Sequence, residues 1–200
     1  MSIPKRIFSI WLGQGEPPEL IKRCLATHKQ PGYEHRLITL DNCYMGLYVQ
    51  ECLNPGSVCK LRGRYSKAAD YLRMWYLNSL GGIYLDADVE VIKPFDDILL
   101  QDSMFCCEEE NGFVSNAIVG AESGHPILQD YLGKVDRNFI GSGDLIFQPG
   151  MFLWTEIVRY SSGVKVYPPD YFLPYNHHLD RLKVTDNTYT IHHFSRSWIV

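Results

Sequence analysis

The stretch from Leu80 to Asp88 constrains the fold of this chain more than any other. Gly81-Gly82 ends a helical run, Ile83-Tyr84-Leu85 is apolar and β-prone, and the strand stops on Asp86-Ala87-Asp88. A buried strand ending in acidic residues belongs to layered α/β architecture, in which ligands gather at strand ends. In an extended chain residues i and i+2 share a face, so the two carboxylates are expected to converge on one point. Thirteen Asp in 200 residues would give roughly 0.8 such triplets by chance, so the triplet alone decides little. Its position decides more, because unpaired carboxylates in a core-like stretch are costly. Two converging carboxylates suit a hard divalent cation whose other positions are left to water and phosphate oxygens.

The elements around this stretch follow the same plan. Residues 3–12 form a β-rich apolar run that stops at the Gly13-Gln14-Gly15 turn. Pro17-Pro18 opens a helix whose Leu20, Ile21, Cys24, Leu25 and His28 fall on one face, and Pro31-Gly32 stops it. A second strand over 35–40 completes a β-α-β beginning. Residues 41–64 read as a short helix and a loop around Asn54-Pro55-Gly56. The next helix is expected from Ser66, as N-cap, to Leu80. Beyond the acidic triplet the pattern predicts extended chain over 89–92, a strand over 116–121, helices over 126–135 and 151–160, a strand over 164–167, a wrapping loop over 170–188 and a last strand over 189–194. No linker or repeat interrupts this order, so residues 1–200 are expected to form a single domain. At 23.0 kDa a folded chain buries about 70% of its unfolded surface, enough for a core without staples.

Charge and missing signatures narrow the function classes. Nineteen basic against twenty-three acidic residues leave a net charge of −4, the wrong balance for a general nucleic-acid binder. The sequence has no phosphate-loop motif, no G-x-S-x-G elbow and no H-E-x-x-H helix, and Pro17-Pro18 break the dinucleotide fingerprint that Gly13 and Gly15 begin. Six cysteines contain no C-x-x-C pair and no apolar leader precedes residue 3, so reduced thiols in a cytoplasmic protein are expected.

Other residues carry less signal on spacing alone. Asp70 and Arg73, at i and i+3, share a helix face; they read either as a surface ion pair or as a pair held near the metal. Trp11 ends the first strand beside a glycine turn, a position for a core indole or for a stacking platform. Only one of the adjacent His192 and His193 can face a given side of a strand. Glu108-Glu109-Glu110 read as a solvated loop that follows a strand.

Taken together, Ile3-Pro4-Lys5 with Trp11 and Gly13, the run Ser66–Arg73, the run Leu80–Asp88, Asn116-Ala117, Gly124-His125-Pro126, and His192-His193 through Ser197-Trp198 resemble a known family. It is the DXD-containing glycosyltransferase family of yeast initiating mannosyltransferases, bacterial capsule glycosyltransferases and clostridial glucosylating toxin domains. The resemblance implies a GT-A fold, a Rossmann-like, mostly parallel sheet flanked by helices. It also implies a nucleotide-sugar donor, a UDP-sugar in preference to a GDP-sugar, and Mn²⁺ or Mg²⁺ as cofactor, with transfer retaining the anomeric configuration. By the same resemblance Trp11 stacks on the base, and Asp70, Arg73, Tyr84 and Asp86 hold the donor sugar and ribose. Ser197 and Trp198 touch the diphosphate. Asp86, Asp88 and His193 ligate the metal, with Asp86, Asp88 and Arg73 as the catalytic set. Asn116 and Glu108 fall on the acceptor side. By analogy the acceptor is a saccharide, lipid-linked and destined for surface polysaccharide, with peripheral contact at the inner membrane face.

Two positions depart from the family pattern: Phe8 stands where many relatives carry His, and Gln148-Pro149-Gly150 replaces a Thr-Gly-Pro turn. No residue declares itself as a nucleophile, which suits a same-face ion-pair mechanism. The rival readings are a non-catalytic sugar-binding domain and a D-x-D phosphatase, which would need an acidic pair where Asp144 and Gln148 stand.

Overall fold

The computed structural model describes residues 2–54, 64–97, 99–142, 150–176 and 181–195. The chain opens with strand β1 (Arg6–Ile10), helix α1 (Glu19–Thr27) and strand β2 (Glu34–Ile38). Helices α2 (Leu47–Leu53) and α3 (Arg64–Leu80) lead into β3 (Gly82–Leu85), followed by β4 (Val89–Val91), β5 (Met104–Glu108) and β6 (Val114–Ala121). Helices α4 (Pro126–Ser142) and α5 (Met151–Arg159) precede β7 (Lys165–Tyr167). The last elements are α6 (Pro169–Phe172), β8 (Tyr175–Asn176), β9 (Arg181–Leu182) and β10 (Thr190–His192).

Six strands form one sheet in the order β2-β1-β3-β6-β5-β7. β1 pairs in parallel with β2 and β3, and β5 with β7. Only β6 is reversed, antiparallel to both of its neighbours. Strand alternation sends Phe8, Tyr84, Met104, Cys106 and Val119 to one face, where side chains of α3, α4 and α5 cover them. Ile7, Ile83, Leu85, Phe105, Cys107 and Ile118 point to the other face, against Phe95, Phe172 and Tyr189. Burial on both faces is what the near-continuous apolar strands require.

β4 and β10 stand apart from this sheet. They form a two-stranded antiparallel ribbon in which Val89 lies opposite His192 and Glu90 opposite Ile191. A sharp turn joins β3 to β4, closed by a hydrogen bond from the Val89 N–H to the Asp86 carbonyl at 3.0 Å.

Some elements differ from their sequence expectation. Ser66 lies inside the first turn of α3 and does not cap it. α4 runs seven residues beyond 135, to Ser142. The wrapping segment 170–188 contains most of α6 and all of β8 and β9. Phe8 is fully buried against Tyr76, ring centroids 5.7 Å apart, so the family's departure there falls in the core.

The two glycines after α3 turn the chain back into the sheet. Gly81 (φ 63°) and Gly82 (φ 129°) both have left-handed backbone, and a Cβ on Gly82 would sit 2.7 Å from the Arg6 carbonyl oxygen on β1. Gly82→Ala is therefore expected to cost about 2–4 kcal/mol, from backbone strain and a clash with main chain that cannot yield. Gly32→Ala, at φ 77° with open space around it, should cost only about 1 kcal/mol. Urea denaturation of both variants checks the difference.

Candidate active site

The site lies at the C-terminal end of β3, where a cavity of about 440 Å³ opens between the sheet, the start of α3 and the end of β10. Its lining includes Trp11, Gly13, Asp70, Arg73, Asp86, Asp88, Asn116 and His192. The acidic triplet sits in the β3–β4 turn and not in a straight strand, so the two carboxylates meet through the turn and not through strand alternation. Asp86 remains tied to the sheet by its N–H, which donates to the Ala117 carbonyl on β6 at 2.9 Å.

Arg73 organises the sheet side of the cavity. It is 6% exposed. Its Nη1 lies 3.0 Å from Asp86 Oδ1 and donates to the Asn116 carbonyl at 2.8 Å, while Nη2 lies 3.0 Å from Asp70 Oδ1. The guanidinium rests 4.7 Å from the centre of the Tyr84 ring. Burial works against its charge, but Asp86, Tyr84 and Asp70 outweigh that and hold the guanidinium firmly protonated. The Asn116 amide donates to Asp70 Oδ1 at 2.9 Å. Burial pushes the Asp70 carboxyl up to about 6, and the nearby Asp86 charge adds to this against the opposing pull of Arg73 and Asn116. The helix-face pair read from i, i+3 spacing is thus a buried pair inside the cavity.

The ribbon side carries Asp88 and His192. His192 Nε2 is 3.1 Å from Asp88 Oδ1 and 4.0 Å from Asp86 Oδ2. Ser195 donates to Asp88 Oδ2 twice, from its N–H at 2.8 Å and its hydroxyl at 2.9 Å. Burial alone would raise Asp88, but the His192 and Ser195 contacts outweigh it and hold the carboxyl well below the usual range. Burial opposes a charge on His192, yet its hydrogen bond and attraction to Asp88, with Asp86 behind, raise its basicity. One ligand atom each from Asp86, Asp88 and His192 lies within 4.8 Å of the others. Two carboxylates and an imidazole are a donor set suited to a divalent cation such as Mn²⁺ or Mg²⁺.

Three of the expected site residues stand differently in the structure. His192, and not His193, reaches the aspartates: opposite Val89 in the ribbon it points to the cavity, whereas His193 turns away to Glu90, Nε2 to Oε2 2.9 Å. Tyr84 is 1% exposed and does not line the cavity. It reaches the site from behind, donating its hydroxyl to Asp86 Oδ1 at 2.6 Å and carrying the Arg73 guanidinium over its ring. Glu108 is exposed at the end of β5 and is not among the lining residues; its neighbour Glu109 is the one whose charge acts on His192. Trp11 and Asn116 line the cavity, and Ser197 and Trp198 lie outside the described residues. Ser195 and Phe194 are the site residues that sequence reasoning missed. The positive φ of Phe194 (47°) shapes the turn that brings Ser195 back to Asp88, and no local pattern announces it.

Residues 19–105 match the family described as the glycosyltransferase sugar-binding region containing a DXD motif. The chain is 27% identical over 173 residues to Subversion of eukaryotic traffic protein A of Legionella pneumophila, covering 72% of this chain and 27% of that protein. It is also 27% identical over 146 residues to inositol phosphoceramide mannosyltransferase 3 of Schizosaccharomyces pombe, covering 68% of this chain and 38% of that one. The chain thus spans less than two fifths of the length of either relative. Among solved structures, the PaToxG glycosyltransferase superposes with a TM-score of 0.58 at 20% identity, over 78% of this chain and 68% of its own. A glycosyltransferase involved in glycosylation of the major capsid of PBCV-1 superposes with a TM-score of 0.52 at 12% identity, over 95% and 92% of the two chains. The matched region carries the DXD motif of a glycosyltransferase sugar-binding region at Asp86 and Asp88, and the chain shares the GT-A fold of these solved glycosyltransferases.

Proposed function

We propose that the chain transfers a sugar from a nucleotide-sugar donor to a saccharide acceptor, with a divalent cation held by Asp86, Asp88 and His192 and with retention at the anomeric carbon. The observation that carries this reading is the convergence of these three side chains in a cavity that also holds the buried Asp70–Arg73 pair. The difficult part of glycosyl transfer is the negative charge that builds on the departing diphosphate, and the bound cation would neutralise it there.

The chain's own groups divide the remaining work. Arg73 is committed to Asp70, Asp86 and the Asn116 carbonyl, so it acts as a positioning residue that keeps both carboxylates ionised and aimed. Asp70 then accepts hydrogen bonds from donor hydroxyls. Trp11, with its ring against Gly13, offers the flat wall for a base; a Cβ on Gly13 would meet that ring at 2.6 Å. Asn116, which donates to Asp70, belongs to the acceptor side in this reading on family resemblance. Ser197 and Trp198 belong to this reading as diphosphate contacts on family resemblance alone. The reading assigns no side chain as a nucleophile and has the acceptor attack on the same face as the leaving group. A UDP-sugar is the preferred donor. A lipid-linked acceptor at the inner membrane face is the preferred setting, and no described helix is long and apolar enough to cross a membrane.

A thermal-shift screen of UDP-, GDP- and dTDP-sugars, each with Mn²⁺ and with EDTA, tests the donor site. One nucleotide is expected to stabilise the fold by about 2.7 kcal/mol at a hundredfold excess over its dissociation constant, and only with the metal. Stabilisation that survives EDTA would remove the cation from donor binding. Asp88→Asn should lower metal-dependent donor turnover about a hundredfold or more with the melting transition retained; full activity would take Asp88 out of the mechanism.

Acidity should act through Asp70. Its carboxyl titrates near 6, so the hydrogen-bond-accepting anion is lost as pH falls through that value. The KM for donor is expected to rise about tenfold from pH 7 to pH 5, an effect absent in Asp70→Asn. The raised value also means that folding disfavours the Asp70 charge above pH 6. Asp70→Asn should therefore melt no lower than the parent protein at pH 8.

A further inference from the structure

Among the described residues β4 has no strand partner on one of its edges, although it begins one residue after Asp88 and carries His192 opposite its first residue. The edge formed by Asp88, Glu90 and Ile92 bonds toward β10 and the segment before it: the Asp88 carbonyl accepts from His193 N–H at 3.1 Å and the Ile92 N–H donates to the Tyr189 carbonyl at 2.9 Å. The backbone groups of Val89 and Val91 therefore point the other way, and there two consecutive side chains at the end of α1 meet them. The Val91 N–H donates to Thr27 Oγ1 at 2.9 Å, and His28 Nε2 lies 2.6 Å from the Val89 carbonyl oxygen.

His28 is suited to this task by its own surroundings. It is fully buried, and its Nδ1 lies 2.7 Å from the Ser9 hydroxyl on β1. Burial pushes its basicity down to about 4, so the ring is neutral and carries one N–H. With Ser9 donating to Nδ1, that proton sits on Nε2 and is aimed at Val89. His35 Nε2, 3.4 Å from the same hydroxyl, supplies the donor that Ser9 oxygen accepts. The ring thus spans from the main sheet to the ribbon, where a strand would otherwise pair.

We propose that His28, assisted by Thr27, is a positioning residue for the cation site: it fixes β4, and with it Asp88 and His192, relative to Asp86 on the main sheet. This rests on the reading of Asp86, Asp88 and His192 as cation ligands. Loss of a group that orients metal ligands from behind typically costs about ten- to a hundredfold in metal affinity. The clamp acts one residue from Asp88 and across the ribbon from His192, so loosening it moves two of the three ligands together.

The test compares His28→Leu, His28→Gln and Thr27→Val with the parent protein, by two measurements made without donor. One is Mn²⁺ affinity by electron paramagnetic resonance. The other is amide hydrogen exchange at 89–92 against 83–85 in metal-free protein. His28→Leu is expected to weaken Mn²⁺ binding about tenfold or more and to speed exchange in β4 while β3 stays protected. His28→Gln, whose amide can donate to the Val89 carbonyl, should recover most of both. Parent-like Mn²⁺ affinity in His28→Leu, or a Gln variant as weak as the Leu variant, would overturn the proposal. If His28→Leu does not fold, Thr27→Val keeps the side-chain volume and reads the same clamp; unchanged exchange at Val91 there would also overturn it. If the parent protein binds no Mn²⁺, the cation reading fails on its own. The exchange data then decide the clamp: selective loosening of β4 supports it, and uniform loosening or none refutes it.

Discussion

The buried guanidinium of Arg73 is the interaction on which the rest of the cavity depends. A fold that ends an apolar strand in a carboxylate and sets a second carboxylate beside it on a helix has two negative charges in poor contact with water. Each would be expensive alone, and together they would repel. Arg73 answers both with separate nitrogens and spends a further hydrogen bond on the Asn116 carbonyl. That places α3, β3 and β6 in a fixed relation, since one planar group touches a residue of each. Tyr84 completes the arrangement from below, under the guanidinium and bonded to the same Asp86 oxygen that Arg73 holds.

Around this fixed half a second half is assembled differently. Asp88, His192 and Ser195 belong to the ribbon and to the turn that follows it, and they are bonded chiefly to one another. The β3–β4 turn is the covalent joint between the halves. The opposite shifts of Asp88 and His192 reflect one local attraction, in which each partner stabilises the charged form of the other despite burial. A divalent cation would compete for that attraction, since an imidazole must be neutral to ligate.

Local pattern in the sequence reveals a large part of this arrangement. Gly81-Gly82 signals the helix end, the apolar triplet signals a buried strand, and Asp86-Ala87-Asp88 at its end signals a ligand site. Those features rest on neighbours in the chain, where period and steric rules act directly. The spacing of Asp70 and Arg73 shows a shared face but not that the face is buried, because burial depends on β6 and on Gly150 ahead of α5. Which histidine faces the aspartates depends on register between β4 and β10, about a hundred residues apart. Alternation says that one of the pair faces in, and only the pairing of Val89 with His192 says which one. The turn geometry of the acidic triplet is hidden for the same reason: the Val89 N–H bonds back to Asp86, and residue types alone do not distinguish that from a continued strand.

The indole of Trp11 carries a consequence of a different kind. Its Nε1–H is buried and has no acceptor among the described residues, although the ring lines the cavity. The cost of stripping water from that donor has already been met by folding, before any ligand arrives. A ligand oxygen recovers that hydrogen bond only where the ring turns its edge to the cavity, and then without a fresh desolvation of the indole. A ligand of the same shape that lacks the oxygen leaves the orphan as it was. Discrimination of this sort comes from an unmet need in the cavity wall, and it favours planar groups that carry a carbonyl at the edge over those that merely fit the slot.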